Sequence, residues 1–151
     1  MRFGEAGGWY VVGQFGLLLL LGLALGLTPS SSPFWLVWIG RGLGALGMAV
    51  LLVAAWQLGR NLTALPRPRP EGHLVQEGLY RVVRHPIYAG LLLWAWGSTL
   101  AHLNLWTLAL SGLLTALLDR KATLEERFLH QRYPQYEAYR KQVRKLIPWL
   151  Y

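Results

Sequence analysis

Long apolar runs separated by short polar segments set the plan of this chain. Residues 9–27, WYVVGQFGLLLLLGLALGL, carry no charge over 19 positions, long enough to cross a hydrocarbon layer of ~30 Å as a helix. Residues 28–33, TPSSSP, combine helix breakers with small hydroxyl side chains and predict a tight turn. A second apolar run, residues 34–58, is interrupted only by Arg41 and Gln57. Gly22 and Gly26 in the first run, and Gly40 and Gly44 in the second, recur at the spacing that lets helix backbones approach closely. Arg41 lies about 10 Å inside its run at the helical rise and is expected to snorkel to the outer interface.

Residues 59–86 form a polar connector in which PRPRPEG excludes a regular helix. Residues 87–118 are apolar again, but AHLN at 101–104 splits them into halves of about fifteen residues, roughly 22 Å each. A helical hairpin that enters the membrane and returns without a full crossing fits that length. From Asp119 the chain turns charged, and residues 119–151 predict two amphipathic helical stretches separated near Tyr133 and Pro134. In the second stretch Tyr136, Tyr139, Val143 and Leu146 would share one face, and IPWLY ends it with a proline stop and interfacial aromatics. The pattern predicts an all-α integral membrane protein of one domain. It comprises two transmembrane helices, a polar connector, a membrane hairpin and amphipathic C-terminal helices.

Composition agrees, since 54% of the 151 residues are hydrophobic and 15% are charged. A net charge of +8 would suggest nucleic acid in a soluble protein. Here the cations gather in the connector (Arg60, Arg67, Arg69, Arg81, Arg84) and beyond Asp119, and the turns at 28–33 and 101–104 hold none. The positive-inside rule then places connector, tail and both termini on the cytoplasmic side of the inner membrane, with no nucleic acid partner expected. The first run is expected to be retained as a helix, because Thr28 and Pro29 end it without a small-residue cleavage site. Cysteine is absent, which excludes disulfides, thiolate catalysis and cysteine-bound zinc. His73 and His85 with scattered carboxylates match no zinc pattern, and no metal is expected. Neither a phosphate-binding glycine loop nor a nucleophile elbow is present.

The same topology brings two polar segments to one membrane face, uniting His73, Tyr80, Arg81, Arg84, His85 and Tyr88 with Arg120, Lys121, Glu125, Glu126 and Arg127. Singly, each has a plain reading as a headgroup contact, an aromatic belt residue or a solvated face. Together they carry a resemblance. EGLYRVVRHPIYAG, followed after a hydrophobic hairpin by EERFLHQRYPQYEAYRKQVRKLIPWL, resembles the isoprenylcysteine carboxyl methyltransferase family and its bacterial relatives, a group related to phospholipid methyltransferases. The similarity covers residues 73–150, roughly, and the first two helices match only in kind.

The resemblance implies S-adenosyl-L-methionine as methyl donor. It implies a cofactor site at Gly72, His73, Leu74, Val75, Tyr80, His85, Pro86, Ile87, Tyr88 and Glu125. A basic residue one turn before that glutamate would contact the acceptor carboxylate. Lys121 holds this position where the family usually has arginine, and a lysine cannot form the bidentate fork. Arg120 is the neighbouring candidate. His85 or Glu126 would serve as a base, needed only for an amine or thiol acceptor. Asn104 matches a family asparagine but would lie on the far side, in a structural role, and RYPQY is one residue shorter than the family turn. The implied activity is methylation of a prenylated or lipid-like carboxylate, with membrane lipids as surroundings and the oligomeric state open. Rival readings are a phospholipid N- or thiol S-methyltransferase, an NADPH-dependent sterol-type reductase, and a non-enzymatic membrane scaffold.

Overall fold

The computed structural model describes Gly4 and residues 7–151. Those residues hold five α-helices: α1 (Gly8–Leu27), α2 (Phe34–Leu58), α3 (Pro86–His102), α4 (Leu105–Arg132) and α5 (Tyr136–Gln142). Short 3₁₀ turns at Gly59–Asn61 and Gly78–Arg81 punctuate the connector. By length and composition two helical stretches can cross a membrane, Gly8–Leu27 and Phe34–Asn61. Their outer faces expose Phe15, Leu19, Trp38, Leu52 and Trp56, the surface expected of helices solvated by lipid.

Helix pairing follows the glycines of the second apolar run but not those of the first. Gly40, Gly44 and Gly47 form a seam on α2 that meets Gly90 and Gly97 of α3 backbone to backbone. A Cβ on Gly97 would stand 2.5 Å from the Gly44 nitrogen, and one on Gly90 would stand 2.6 Å from the Gly47 carbonyl oxygen. Gly22 and Gly26 of α1 face open space. α1 instead packs on α4, and Leu21, Leu91, Ala95, Leu114 and Leu118 close the core between α1, α3 and α4. Within the hairpin Thr99 Oγ1 donates to the Thr107 carbonyl at 3.1 Å and lies 2.8 Å from Ser111 Oγ. These are buried polar links between helices.

The two uncharged turns meet at the end away from the connector. Ser32 Oγ donates to the Leu100 carbonyl at 2.6 Å, and a His102 ring nitrogen lies 2.7 Å from the Thr28 carbonyl oxygen. The hairpin's turn is therefore level with the turn at 28–33, despite the shortness of its apolar halves. Asn104 caps α4, accepting from the Thr107 amide at 3.0 Å and donating to Thr28 Oγ1 at 2.8 Å, a structural role. Arg41 is exposed and lies 5.5 Å from the Trp38 ring centre.

Two boundaries differ from the sequence reading. α4 runs unbroken from Leu105 to Arg132, because the change from apolar to charged residues at Asp119 is a change of surroundings and not of helix propensity. α5 stops at Gln142 because the next residues find other partners. The Arg84 amide donates to the Arg144 carbonyl at 2.7 Å and the His85 amide to the Lys145 carbonyl at 3.1 Å. Val83 and Arg144 form an isolated parallel bridge. Val143 and Leu146 thus belong to an extended clasp rather than to the helical face of Tyr136 and Tyr139. Lys145 Nζ completes the clasp by donating to Asp119 Oδ1 at 2.5 Å.

Candidate active site

A cavity of about 480 Å³ opens where the connector, the N-terminus of α3, the polar half of α4 and α5 converge. Its size is that of a small-molecule site. Gly72, His73, Leu74, Val75, Tyr80, His85, Ile87, Tyr88 and Glu125 all line it, together with Lys121. Pro86 does not; it is buried at the start of α3, where its missing N–H leaves no helical bond unmade.

Local structure explains how the connector holds its shape without helix or sheet. Gln57, at the end of α2, accepts the Leu79 amide on Oε1 at 2.9 Å and so starts the turn Gly78–Arg81. Gly78 has φ 60° there, a conformation open to glycine, and a Cβ would strike the Gln57 side chain. Asn61 Oδ1 accepts the His73 amide at 3.0 Å, and the Tyr133 hydroxyl donates to the Gly72 carbonyl at 2.8 Å. Tyr80 is buried; its hydroxyl donates to the Ala54 carbonyl at 3.3 Å, and its own carbonyl accepts from Tyr139. Burial raises both phenols above their ordinary range; the Glu125 charge adds to this at Tyr80, whereas at Tyr139 the Arg84 charge opposes it.

Consecutive residues of α4 divide the chemistry. Lys121 and Glu125 are one turn apart and share the cavity face. Glu125 Oε2 accepts from the Tyr88 hydroxyl at 2.8 Å and lies 3.8 Å from His85 Nδ1. The His85 and Tyr88 rings stack with centroids 5.5 Å apart. Lys121, only 1% exposed, donates to Gln14 Oε1 of α1 at 2.6 Å and lies 5.2 Å from the Tyr88 ring centre. Burial lowers its pKa, with the Glu125 charge in opposition.

Glu126, one residue on, does not line the cavity. It is buried beneath it, with Oε1 2.8 Å from Arg84 Nη2 and 3.1 Å from His85 Nε2. Burial works against its ionisation, but the hydrogen bonds and charges of His85 and Arg84 prevail and hold its pKa at about 2. It is a fixed anion, poorly suited to accept a proton near neutrality. Arg84 also donates to the carbonyls of Arg140 and Val143, so it clamps connector to tail. Arg120 is exposed and off the cavity.

Gln14, Asn61 and Arg69 also line the cavity without being named as site residues from the sequence. So do Tyr133, Tyr136 and Tyr139, which lie within the quoted C-terminal signature but count there only as pattern. Gln14 had one sequence signal, as the only polar residue between Tyr10 and Thr28. Tyr136 is 1% exposed and its hydroxyl has no hydrogen-bond partner.

Comparison with known proteins decides the lineage. The model of the phospholipid methyltransferase family matches residues 35–136. The chain belongs to the phospholipid methyltransferase family. A probable protein-S-isoprenylcysteine O-methyltransferase of Oryza sativa subsp. indica is 32% identical, covering 91% of this chain and 74% of the relative. The methanethiol S-methyltransferase of Pseudomonas deceptionensis is 31% identical, over 83% of this chain and 47% of that one. The solved eukaryotic intramembrane Ras methyltransferase, an isoprenylcysteine carboxyl methyltransferase, superposes with TM-score 0.70 at 23% identity. That match covers 95% of this chain and 53% of the other, so this chain spans about half of that protein. The family and the helices together make this chain a membrane methyltransferase.

Proposed function

We propose that this family member transfers a methyl group from S-adenosyl-L-methionine to the carboxylate of a prenylated or otherwise lipidic acceptor. The observation that carries the reading is the placement of Lys121 and Glu125 one turn apart on the wall of one cavity, facing the His85 and Tyr88 stack. The donor set suits S-adenosyl-L-methionine. Glu125 offers a carboxylate for a cationic group, oriented by the Tyr88 hydroxyl, and Leu74 and Val75 lie on the same wall. The partnerless Tyr136 hydroxyl is a buried polar atom awaiting a hydrogen bond. When bound, that molecule supplies an electrophilic methyl carbon on a sulfonium.

The chain's residues then act by position. Lys121 holds the acceptor anion, Glu125 with Tyr88 orients the cationic end of the donor, and Glu126 with Arg84 and His85 fixes the floor. A carboxylate acceptor is already ionised, so no general base is required, and alignment of the two reactants supplies most of the rate. The charged donor would enter from the cytoplasm and the lipidic acceptor from the bilayer, with both termini cytoplasmic. A small thiol is the second reading, kept by the 31% identity to the methanethiol enzyme.

Calorimetric titration of the detergent-purified protein with S-adenosylmethionine, S-adenosylhomocysteine and NADPH tests the reading, followed by methyl transfer to N-acetyl-S-farnesylcysteine. Binding of both sulfur compounds, and methylation of the prenylated acid, are the expected results. Binding of NADPH alone would replace the reading with a reductase, and binding of none of the three would leave a scaffold.

A further inference from the structure

Gln14 stands out because nothing about its own helix requires it. α1 is apolar from Val11 to Leu27 apart from this amide, yet Gln14 is the one residue of α1 on the cavity wall among the described residues. It lies outside the residues matched by the family model, 35–136. Its Oε1 accepts from Lys121 Nζ at 2.6 Å. Lys121 would otherwise have the Tyr88 ring at 5.2 Å and the charge of Glu125 as its surroundings.

An amide oxygen does two things for a buried ammonium. It satisfies one of three N–H donors, and it does so without neutralising the charge. A carboxylate at the same place would also satisfy the donor but would cancel the cation. A plain stabilising role makes no distinction between the two; a role in binding an anion does.

We propose that Gln14 is a positioning residue for the methyl acceptor: it fixes the Lys121 ammonium at the cavity wall with its charge intact, so that the site selects an anionic, lipid-borne carboxylate. A membrane helix thereby sets the acceptor preference of a site whose other walls belong to the connector and α4. The need for it follows from the lysine itself. An arginine fork is planar and self-orienting, whereas a lysine ammonium is a point charge on a flexible stem and takes its direction from what it is bonded to.

The inference rests on the methyl-transfer reading and separates from it experimentally. The probes are S-adenosylhomocysteine, which carries no sulfonium, for calorimetric affinity, and N-acetyl-S-farnesylcysteine for steady-state kinetics. Gln14→Glu is expected to fold, to bind S-adenosylhomocysteine within about twofold of wild type, and to raise KM for the acid by about tenfold or more with kcat little changed. Gln14→Met keeps the bulk, removes the acceptor atom, and is expected to raise KM in the same direction. Wild-type KM in either folded variant would overturn the inference while leaving the methyl-transfer reading intact. A parallel loss of S-adenosylhomocysteine affinity would also overturn it, by showing Gln14 to be a general support of the cavity. A wild-type protein that fails to turn over the acid removes the carboxylate reading, and this inference with it.

Discussion

At the level of single residues, the pair Arg84 and Glu126 shows how a charge can be essential to a site without entering it. Both side chains are about one-tenth exposed, and Glu126 is depressed from 4.5 to about 2. A carboxylate whose pKa is lower in the folded than in the unfolded protein contributes stability that is full above pH 4.5. That contribution is lost as pH falls toward 2. Thermal melts of the detergent-solubilised protein should therefore decline through that window. Arg84→Ala should lower stability at pH 7 by about 3 kcal/mol, the usual cost of leaving a buried charge without its partner. It should also flatten the acid decline; an unchanged melting profile would show that the clamp contributes nothing. The motif made His85, Tyr88 and Glu125 legible because their order and spacing are local. Gln14 was not legible as a site residue, since it reaches the cavity through a tertiary approach that no short pattern encodes, and Tyr136 was legible as part of a pattern but not as part of the cavity. The division of labour between Glu125 and Glu126 was hidden too, because adjacent helical residues point about 100° apart and only the packed helix tells which face looks inward.

At the level of elements, the α2–α3 seam is the tightest contact in the fold and makes the sharpest contrast with α1. Gly97→Leu should separate the two helices and unfold the protein at a markedly lower temperature, because the nearest atoms are backbone and cannot move aside. Gly22→Ala meets open space and should be neutral or stabilising, by up to about 1 kcal/mol from helix propensity alone. Melting curves of the two variants side by side test this, and equal effects would count against the seam. The sequence revealed that glycines at four-residue spacing exist, but not which helix each pair faces, since small-residue motifs carry no partner address. The same limit explains α4 and α5. Charge onset at Asp119 looked like a boundary and was a helix passing out of its apolar surroundings. The continued helical face after Tyr139 gave way to backbone pairing with the connector, a long-range hydrogen-bonding choice that periodicity does not report.

For the whole molecule, two uncharged turns dock on each other at one end, and every residue of the cavity lies toward the other. The chain contains no cysteine, so single introduced thiols report sidedness cleanly. In inverted and right-side-out vesicles, Ser31→Cys should react with a membrane-impermeant maleimide from the periplasmic face, and Gln135→Cys only from the cytoplasmic face. Labelling of both from one side would refute the proposed topology. The clasp by which Arg84 and His85 pair with the carbonyls of Arg144 and Lys145 also has a consequence along the chain. Those carbonyls lie beyond all of α1 to α4 in chain order, beginning 12 residues after the end of α4 at Arg132. The backbone that holds His85 at the cavity wall is thus supplied from the far end of the chain, so shortening the tail before Arg144 removes partners of the wall without touching α1 or α2.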